Sequence, residues 1–277
     1  AAASLNYDAA PLASPVTLTP SGPGEGTYSV NPPDGQADVA YSNIETPGVV
    51  NGTIIPVFDL LALGFEDGGP DAVDIGLDGG GVNLEFDVNT GAFSFSFPVA
   101  DIDSLTVDGS NDDDTLTVDF DNGNPVPAND LAFNGGLGSD ALALVNVGAG
   151  FTTHTYNYTG VDSAGPLTGH DGNIELDPGD RVITYTGLEP ISNDGTADDI
   201  VFNLPDGSGD LASLQDDAGG AANGSRDLVD DAETSNFEDT TFTVPNNSIT
   251  INGRGGEDEL TTTNGPFDNA WAANNVA

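Results

Sequence analysis

The stretch SLTVDGSNDDDTLTV, Ser104 to Val118, contains two short runs in which apolar and polar residues alternate, with a turn rich in glycine and aspartate between them. A period of two is the pattern of a β-strand that buries one of its faces. The intervening Gly, Ser, Asn and Asp residues favour a turn. The stretch therefore predicts a strand, an acidic turn and a second strand, with the apolar positions of both strands facing one core.

The same alternation recurs along the chain. It appears in Val82–Val88, Ala92–Phe97, Leu131–Gly135 and His154–Tyr158, and residues that favour turns separate these runs. The sequence contains no amphipathic helical pattern of ten or more residues. Many short strands joined by tight turns are typical of an all-β protein, and this is the predicted fold class.

The opening motif is repeated. Ser248 to Thr262, SITINGRGGEDELTT, begins 144 residues after Ser104, and the same offset aligns Val39–Thr46 with Ile183–Pro190. Elsewhere the best alignment pairs Asp71–Leu77 with Asp198–Leu204, at an offset of 127. The sequence thus indicates a duplication, which favours an architecture of stacked repeats.

A third motif copy, Asp130 to Leu144, follows the first after 26 residues. Stacked strand–turn–strand units predict a right-handed parallel β-helix, or solenoid. We divide the chain into an extended N-terminal segment, 1–25, a first repeat, 26–160, and a second, truncated repeat, 161–277. The alternative is a pair of tandem β-sandwich domains with a boundary near Gly160 to Gly172.

The motif copies also predict a core, because their apolar positions are in phase. The residues expected to point inward are Leu105, Val107, Leu116, Val118, Leu131, Phe133, Leu142, Leu144, Ile249, Ile251 and Leu260.

The chain is extremely acidic. It has 46 acidic residues and three basic ones, for a net charge of −43. This charge repels nucleic acids and anionic lipid surfaces, and the most apolar run is too short and too polar for membrane insertion. High salt, which screens charge, and Ca²⁺, which binds carboxylates, both make such a charge tolerable. We therefore expect an extracellular or cell-surface location.

Residues suited to catalysis are scarce. The chain has no cysteine and no lysine, and it lacks a G-x-S-x-G motif. We interpret His154, His170 and the three arginines as structural residues. No enzymatic activity is expected.

Residues Gly135–Ala143, GGLGSDALA, match the nonapeptide G-G-x-G-x-D-x-U-x, and Gly109–Thr117 and Gly253–Thr261 match it in part. In this the chain resembles hemolysin-type calcium-binding repeats, and more broadly the acidic repeats of giant surface proteins from planctomycetes and other aquatic bacteria. The resemblance implies Ca²⁺ as cofactor. The candidate ligands are Asp112, Asp113, Asp114, Asp140, Glu257 and Asp258. The alternative interpretation is that these acidic turns are exposed to solvent and bind no metal.

Two functions remain open. The favoured one is an extracellular structural protein, either a filament subunit or a segment of a large adhesive or surface-layer protein; the absence of methionine suggests a processed or excised chain. The expected partner is a second copy, joined head to tail through its N-terminal segment, with Leu5, Tyr7, Val16 and Leu18 setting the register. The alternative is a β-helix that binds or degrades polysaccharide, with Tyr7, Tyr158 or Trp271 as exposed aromatic residues.

Overall fold

The computed structural model describes residues 4–8, 16–22, 25–30, 38–41, 46–50, 53–65, 68–148, 150–161, 169–206, 209–217, 223–231 and 236–262. This part of the chain forms 23 β-strands, a single-turn α-helix, Leu60–Leu63, and one 3₁₀ helix, Val99–Asp101. The all-β prediction is confirmed. Neither described helix has the length or the apolar character needed to cross a membrane.

The strands form two large mixed sheets and one separate pair. The first sheet has eleven strands, in the spatial order β22 (Ser248–Asn252), β18 (Asp199–Asn203), β14 (Thr153–Val161), β15 (His170–Leu176), β16 (Val182–Leu188), β12 (Leu131–Asn134), β10 (Leu105–Asp108), β6 (Ile54–Asp59), β2 (Val16–Gly22), β3 (Glu25–Val30) and β4 (Val39–Tyr41). The second has ten, in the order β23 (Glu259–Thr262), β19 (Leu211–Asp216), β20 (Ser225–Asp230), β21 (Thr240–Thr243), β17 (Ile191–Asn193), β13 (Ala141–Val145), β11 (Asp114–Asp119), β7 (Asp71–Leu77), β8 (Asn83–Val88) and β9 (Phe93–Pro98). The separate pair is β1 (Ser4–Asp8) with β5 (Thr46–Val50), and β5 lies against β9.

In the middle of the molecule the chain alternates between the two large sheets. Strand β10 leads into β11 and β12 leads into β13, so each passage contributes one strand to each sheet. We call such a passage a coil. Neighbouring coils pair in parallel, with Leu105 opposite Leu131 and Leu116 opposite Leu142. The 26-residue spacing of the motif copies therefore equals the length of one coil.

The inner faces of the two large sheets share one core. The Phe58 ring of β6 stacks on the Phe86 ring of β8 with their centroids 3.7 Å apart. Farther along, the Phe202 ring of β18 lies 5.1 Å from that of Phe242 in β21. Both contacts join one sheet to the other. The alternate, inward-facing residues of the two sheets are therefore buried in the same core.

Nine of the eleven predicted core residues are buried, and the two others lie in the last strands. Ile251 in β22 is half-buried, and Leu260 in β23 is 42% exposed. Leu260 has the register of an inward residue, since it lies opposite the buried Ala212. In the described part of the chain, however, no strand follows β23 in the sheet. The prediction was wrong for Leu260 because a terminal strand is covered on one side only.

The sequence duplication is also a duplication of strand order. Strands β2–β4 and β14–β16 form antiparallel meanders in the first sheet, and β7–β9 and β19–β21 form meanders in the second. Thr106 lies opposite Val57, and Thr250 lies opposite Val201, so both members of the pair are displaced by 144 residues. Strands β2–β11 are thus repeated as β14–β23.

One alignment made from the sequence is corrected by this order. Asp71–Leu77 was aligned with Asp198–Leu204, but the first segment is β7 of the second sheet and the other contains β18 of the first. The counterpart of β7 is β19, because Val73 pairs with Leu116 as Ala212 pairs with Leu260. Asp198–Leu204 alternates as β7 does, whereas β19 has the adjacent apolar residues Leu211 and Ala212, so the pattern alone favoured the wrong pair.

Part of the N-terminal segment that was expected to join a second copy belongs instead to the fold of its own chain. Val16 and Leu18 of β2 are 0% exposed, and β2 lies between β6 and β3 of its own chain. These two residues are therefore not available for addition to a neighbour. Toward the middle of the chain, the boundary proposed near Gly160 to Gly172 falls in the β14–β15 pair of a single sheet, and both large sheets contain strands from before and after it.

The contrast between the central and terminal strands gives a test of the register. Replacing Leu116 by Ala should lower the free energy of unfolding by about 2–5 kcal/mol, because the side chain is fully buried. Leu116→Asp should prevent folding. Leu260→Asp, at the equivalent position in the repeat, should change the urea midpoint little. Equal destabilisation by the two Asp variants would contradict the assignment of β23 as a terminal strand.

Candidate functional site

The acidic turns of neighbouring coils stack directly on each other. The Asp114 N–H donates to Asp140 Oδ1 at 2.8 Å, and the Ser139 N–H donates to Asp113 Oδ1 at 2.9 Å. Within its own turn, Asp114 Oδ2 accepts from the Ser110 N–H at 2.5 Å. The motif aspartates therefore hold each turn closed and tie it to the next coil.

The motif glycines make this stacking possible. A side chain on Gly109 would place its Cβ 1.8 Å from the carbonyl oxygen of Gly135, inside van der Waals contact. Gly138 has a φ of +127°, a conformation that residues with a side chain rarely adopt. Glycine is required here by the close approach of two backbones, whether or not a metal is bound.

The turns belong to a longer row of acidic residues in the second sheet. Each residue of the row lies at or just before the beginning of its strand. Asp71 pairs with Asp114, and the register of β11 with β13 brings Asp114 opposite Asp140. Glu189 and Glu238 lie two residues before Ile191 and Thr240, which continue the same register. We call Asp71, Asp114, Asp140, Glu189 and Glu238 the acidic row.

The members of the acidic row are difficult to ionise together. Burial raises the pKa of Asp114 to about 6, and nearby Asp71 and Asp112 act in the same direction. Burial raises the pKa of Asp140 to about 7, with Asp114 and Glu189 adding like-charge repulsion. Burial also raises the pKa of Glu238 to about 7, although its hydrogen bond to His170 opposes the shift. Neighbouring strands lie only about 4.8 Å apart, so ionisation of one carboxyl group opposes ionisation of the next.

The six predicted calcium ligands separate into two groups. Asp112, Asp113, Asp114 and Asp140 lie in the two stacked central turns. Glu257 and Asp258 lie before β23, where Asp258 Oδ1 accepts from the Asp210 N–H at 3.2 Å. In the second sheet four strands, β17, β21, β20 and β19, lie between β13 and β23 and separate the two groups.

In the central turns each of the four candidate carboxylates already accepts at least one hydrogen bond. Asp112 Oδ2 accepts from the Gly68 N–H at 2.9 Å, in addition to the bonds at Asp113, Asp114 and Asp140 Oδ1. Asp140 Oδ2 is buried and has no hydrogen-bond partner among the residues that the structure describes. Over those same residues, no group of three or more His, Asp or Glu side chains is arranged to hold a metal ion. A calcium ion would therefore need some of these side chains to reorient.

A cavity of about 360 Å³ opens at the end of the acidic row. Its lining residues are Ser139, His170, Glu189, Pro190, Asp230, Phe237, Glu238 and Asp239. In its wall His170 Nδ1 lies 2.9 Å from Glu238 Oε2, and both side chains are buried. The pair ties β15 of the first sheet to the start of β21 in the second.

This cavity was missed by the sequence analysis. His170 was interpreted as a structural residue in a turn, and Glu238 was not singled out. The two residues are 68 positions apart and lie in different sheets. The only available signal was the register, which aligns Glu238 with the motif aspartates once the strand order is known.

The other residues considered for chemistry have structural contacts. His154 is fully buried, with Nδ1 3.3 Å from Asn193 Nδ2, and burial lowers its pKa to about 4. Arg226 pairs with Asp216, and Arg181 donates to backbone carbonyls of Asn124 and Val126. Tyr158, expected as an exposed aromatic residue, is only 1% exposed, and its hydroxyl bonds Thr240 Oγ1 at 2.7 Å.

Comparison with known proteins identifies no relative of this chain: no family model, no curated protein and no solved structure matches it.

The raised pKa values predict a pH dependence of stability. A carboxyl group whose pKa is higher in the folded state than in the unfolded state holds a proton that unfolding releases. The free energy of unfolding should therefore fall as pH rises from about 4, where unfolded carboxylates ionise, to about 7. Urea denaturation at pH 5 and pH 8, at constant ionic strength and with a chelator, measures this difference.

The variant Asp140→Asn distinguishes a pH dependence of stability caused by the acidic row from one caused by charge repulsion over the whole chain. The amide oxygen can still accept the Asp114 N–H, but it carries no proton to lose, so the variant should lose less stability between pH 5 and pH 8. Asp121→Asn, at an exposed position, is the matched control. A pH dependence that is the same in Asp140→Asn and in the unchanged chain would contradict the role given to Asp140.

Proposed function

We propose that this chain is an extracellular structural protein, a filament subunit or a segment of a large adhesive or surface-layer protein, whose units stack head to tail. The proposal includes the finer architecture predicted from sequence, a right-handed parallel β-solenoid, here interrupted by antiparallel meanders. Parallel pairing of coils at the 26-residue spacing supports this part of the proposal.

The observation that carries the function is the contrast between the two ends of the large sheets. At one end, in the described part of the chain, the first sheet finishes in the antiparallel meander β2–β4 and the second in the meander β7–β9, beside which the separate β1–β5 pair lies. At the other end the two sheets finish in the single parallel strands β22 and β23, and the four residues of β23 are all exposed, Leu260 among them. Edge strands with uncovered apolar residues are typical of surfaces that receive another strand. An end that differs from its opposite favours contacts that grow a filament rather than close a ring.

The polysaccharide alternative loses support at one of its three aromatic residues, because Tyr158 is buried. Trp271 and the side chain of Tyr7 lie outside the described residues. The described geometry contains no specific feature that favours sugar binding over assembly.

Electron microscopy of the purified chain over a series of NaCl concentrations tests the proposed function. We expect ordered fibres at high salt and dispersed particles at low salt, because a charge of −43 per chain must be screened before chains can meet. Particles that stay dispersed at every salt concentration, and that bind or degrade an acidic or neutral polysaccharide, would instead support the alternative.

The proposal also includes stabilisation by Ca²⁺, which the motif resemblance implies and the acidic row would attract. At fixed ionic strength we expect Ca²⁺ to raise Tm and a chelator to reverse the change. A ligand at a hundredfold excess over Kd stabilises the state that binds it by about 2.7 kcal/mol. A Tm that responds to NaCl but not to Ca²⁺ or chelator would leave charge screening as the only cation effect.

A further inference from the structure

The second sheet, taken with the separate β1–β5 pair, contains two complete periods of strands. Because β5 lies against β9, the order can be written β1–β5–β9–β8–β7–β11, followed by β13–β17–β21–β20–β19–β23. Each period of six has the same kind of strand at each place, including the antiparallel meander in its middle. In this order β1 occupies the place of β13.

The register confirms that β1 and β13 are equivalent. In the first pair Leu5 lies opposite Pro47, and in the other pair Leu142 lies opposite Ile191. Pro47 and Ile191 are 144 residues apart, which is the offset of the duplication. The same register continues two residues further along, where Tyr7 lies opposite Val49 and Leu144 lies opposite Asn193.

Strand β13 pairs on both of its sides, and β1 does not. One neighbour of β13 is β17, and the other is β11, on which Leu142 lies opposite Leu116. Among the described residues β1 pairs with β5 alone. The counterpart of β11 in the second period is β23, which pairs with β19 alone in the same part of the chain.

The consequence of the missing pairing is visible at one residue. Leu116 of β11 is 0% exposed, whereas Leu260, its counterpart in β23, is 42% exposed. Within the described residues, one molecule thus has at one end a strand, β23, whose outer side is not paired, and at the other end a strand, β1, of the kind that pairs there in the middle of the molecule.

We propose that β1 of a second copy of this chain adds to β23 in parallel, with Leu5 opposite Leu260 and Tyr7 opposite Thr262. This inference rests on the proposed head-to-tail assembly and names the strands that carry it. Backbone hydrogen bonds provide the affinity, and the alternating side chains fix the register. The contact joins unlike ends, so each added chain presents a new β23 for the next.

The second copy also has the right strand directions for the first sheet. Following the parallel and antiparallel pairs from β22 to β4 shows that these two edge strands run in the same direction. If the second copy is moved along the stack, one strand position stays empty between β22 of the first copy and β4 of the second. The counterparts of β22 and β4 in the middle of the molecule are β10 and β16, and β12 fills the position between them.

Disulfide cross-linking tests the contact cleanly, because the chain contains no cysteine. A Leu5→Cys chain is mixed with a Leu260→Cys chain at high salt under mild oxidation. Paired residues of adjacent strands lie about 5 Å apart, within the Cα separation that a disulfide spans. We expect dimers that contain one chain of each variant, with positions 5 and 260 identified in the linked peptide by mass spectrometry.

Two controls fix the site and the register. Leu137 is 37% exposed but lies in a central turn, so Leu137→Cys should not cross-link to Leu5→Cys above background. Asn6→Cys, one residue out of register, should cross-link to Leu260→Cys much less than Leu5→Cys does. Absence of the 5–260 link, or equal linking to position 137, overturns the inference.

A second measurement distinguishes failure of this contact from failure of the proposed function. Leu260→Asp should reduce fibre formation at least tenfold without lowering the Tm of the single chain, while Leu137→Asp should leave both unchanged. Normal fibres from Leu260→Asp, without a 5–260 link, would mean that the filament exists but uses another surface. Absence of fibres from the unchanged chain at every salt concentration would reject the filament itself, and the cross-link would still decide whether β1 binds β23.

Discussion

The hydrogen bond from the Asp114 N–H to the Asp140 carboxylate, 2.8 Å long, joins two coils at the corner where the chain passes from one sheet to the other. It holds the register on both sides of the corner, because β10 and β12 pair before it and β11 and β13 pair after it. A slip of one residue would turn every inward side chain of a strand outward. The burial of Leu116 and Leu142, and with it the common core, depends on this corner.

The corner has an electrostatic cost that its hydrogen bonds only partly offset. A buried carboxylate is costly unless its oxygens accept hydrogen bonds, and here the partners are mostly backbone N–H groups of the turns. Asp140 keeps one buried oxygen without a partner in the described part of the chain, and burial raises the pKa of its carboxyl group to about 7. The acidic row thus combines a fixed strand register with carboxyl groups whose pKa values are raised toward neutral pH.

The strand pairing seen within the chain is also the pairing proposed between chains. Within the chain, β13 bridges two repeats by pairing with β11 on one side and β17 on the other. Between chains, the proposed addition of β1 to β23 would repeat that bridge with the same register. Under this proposal the chain would need no separate interface, because neighbouring chains would be joined by the same strand pairing that joins the repeats inside one chain.

The sequence by itself determined what depends on neighbouring residues. Alternation identified several of the strands, and nine of the eleven positions that it predicted to face inward are buried; the motif spacings of 26 and 144 residues anticipated the coil and the duplication. Tertiary structure decided what depends on which strands become neighbours. It assigned β7 to the second sheet and β18 to the first, brought Glu238 against His170, and left Leu260 uncovered. The physical reason is that side-chain period is a local property of one strand, whereas strand order, contact and exposure are set by pairings between residues far apart in the chain.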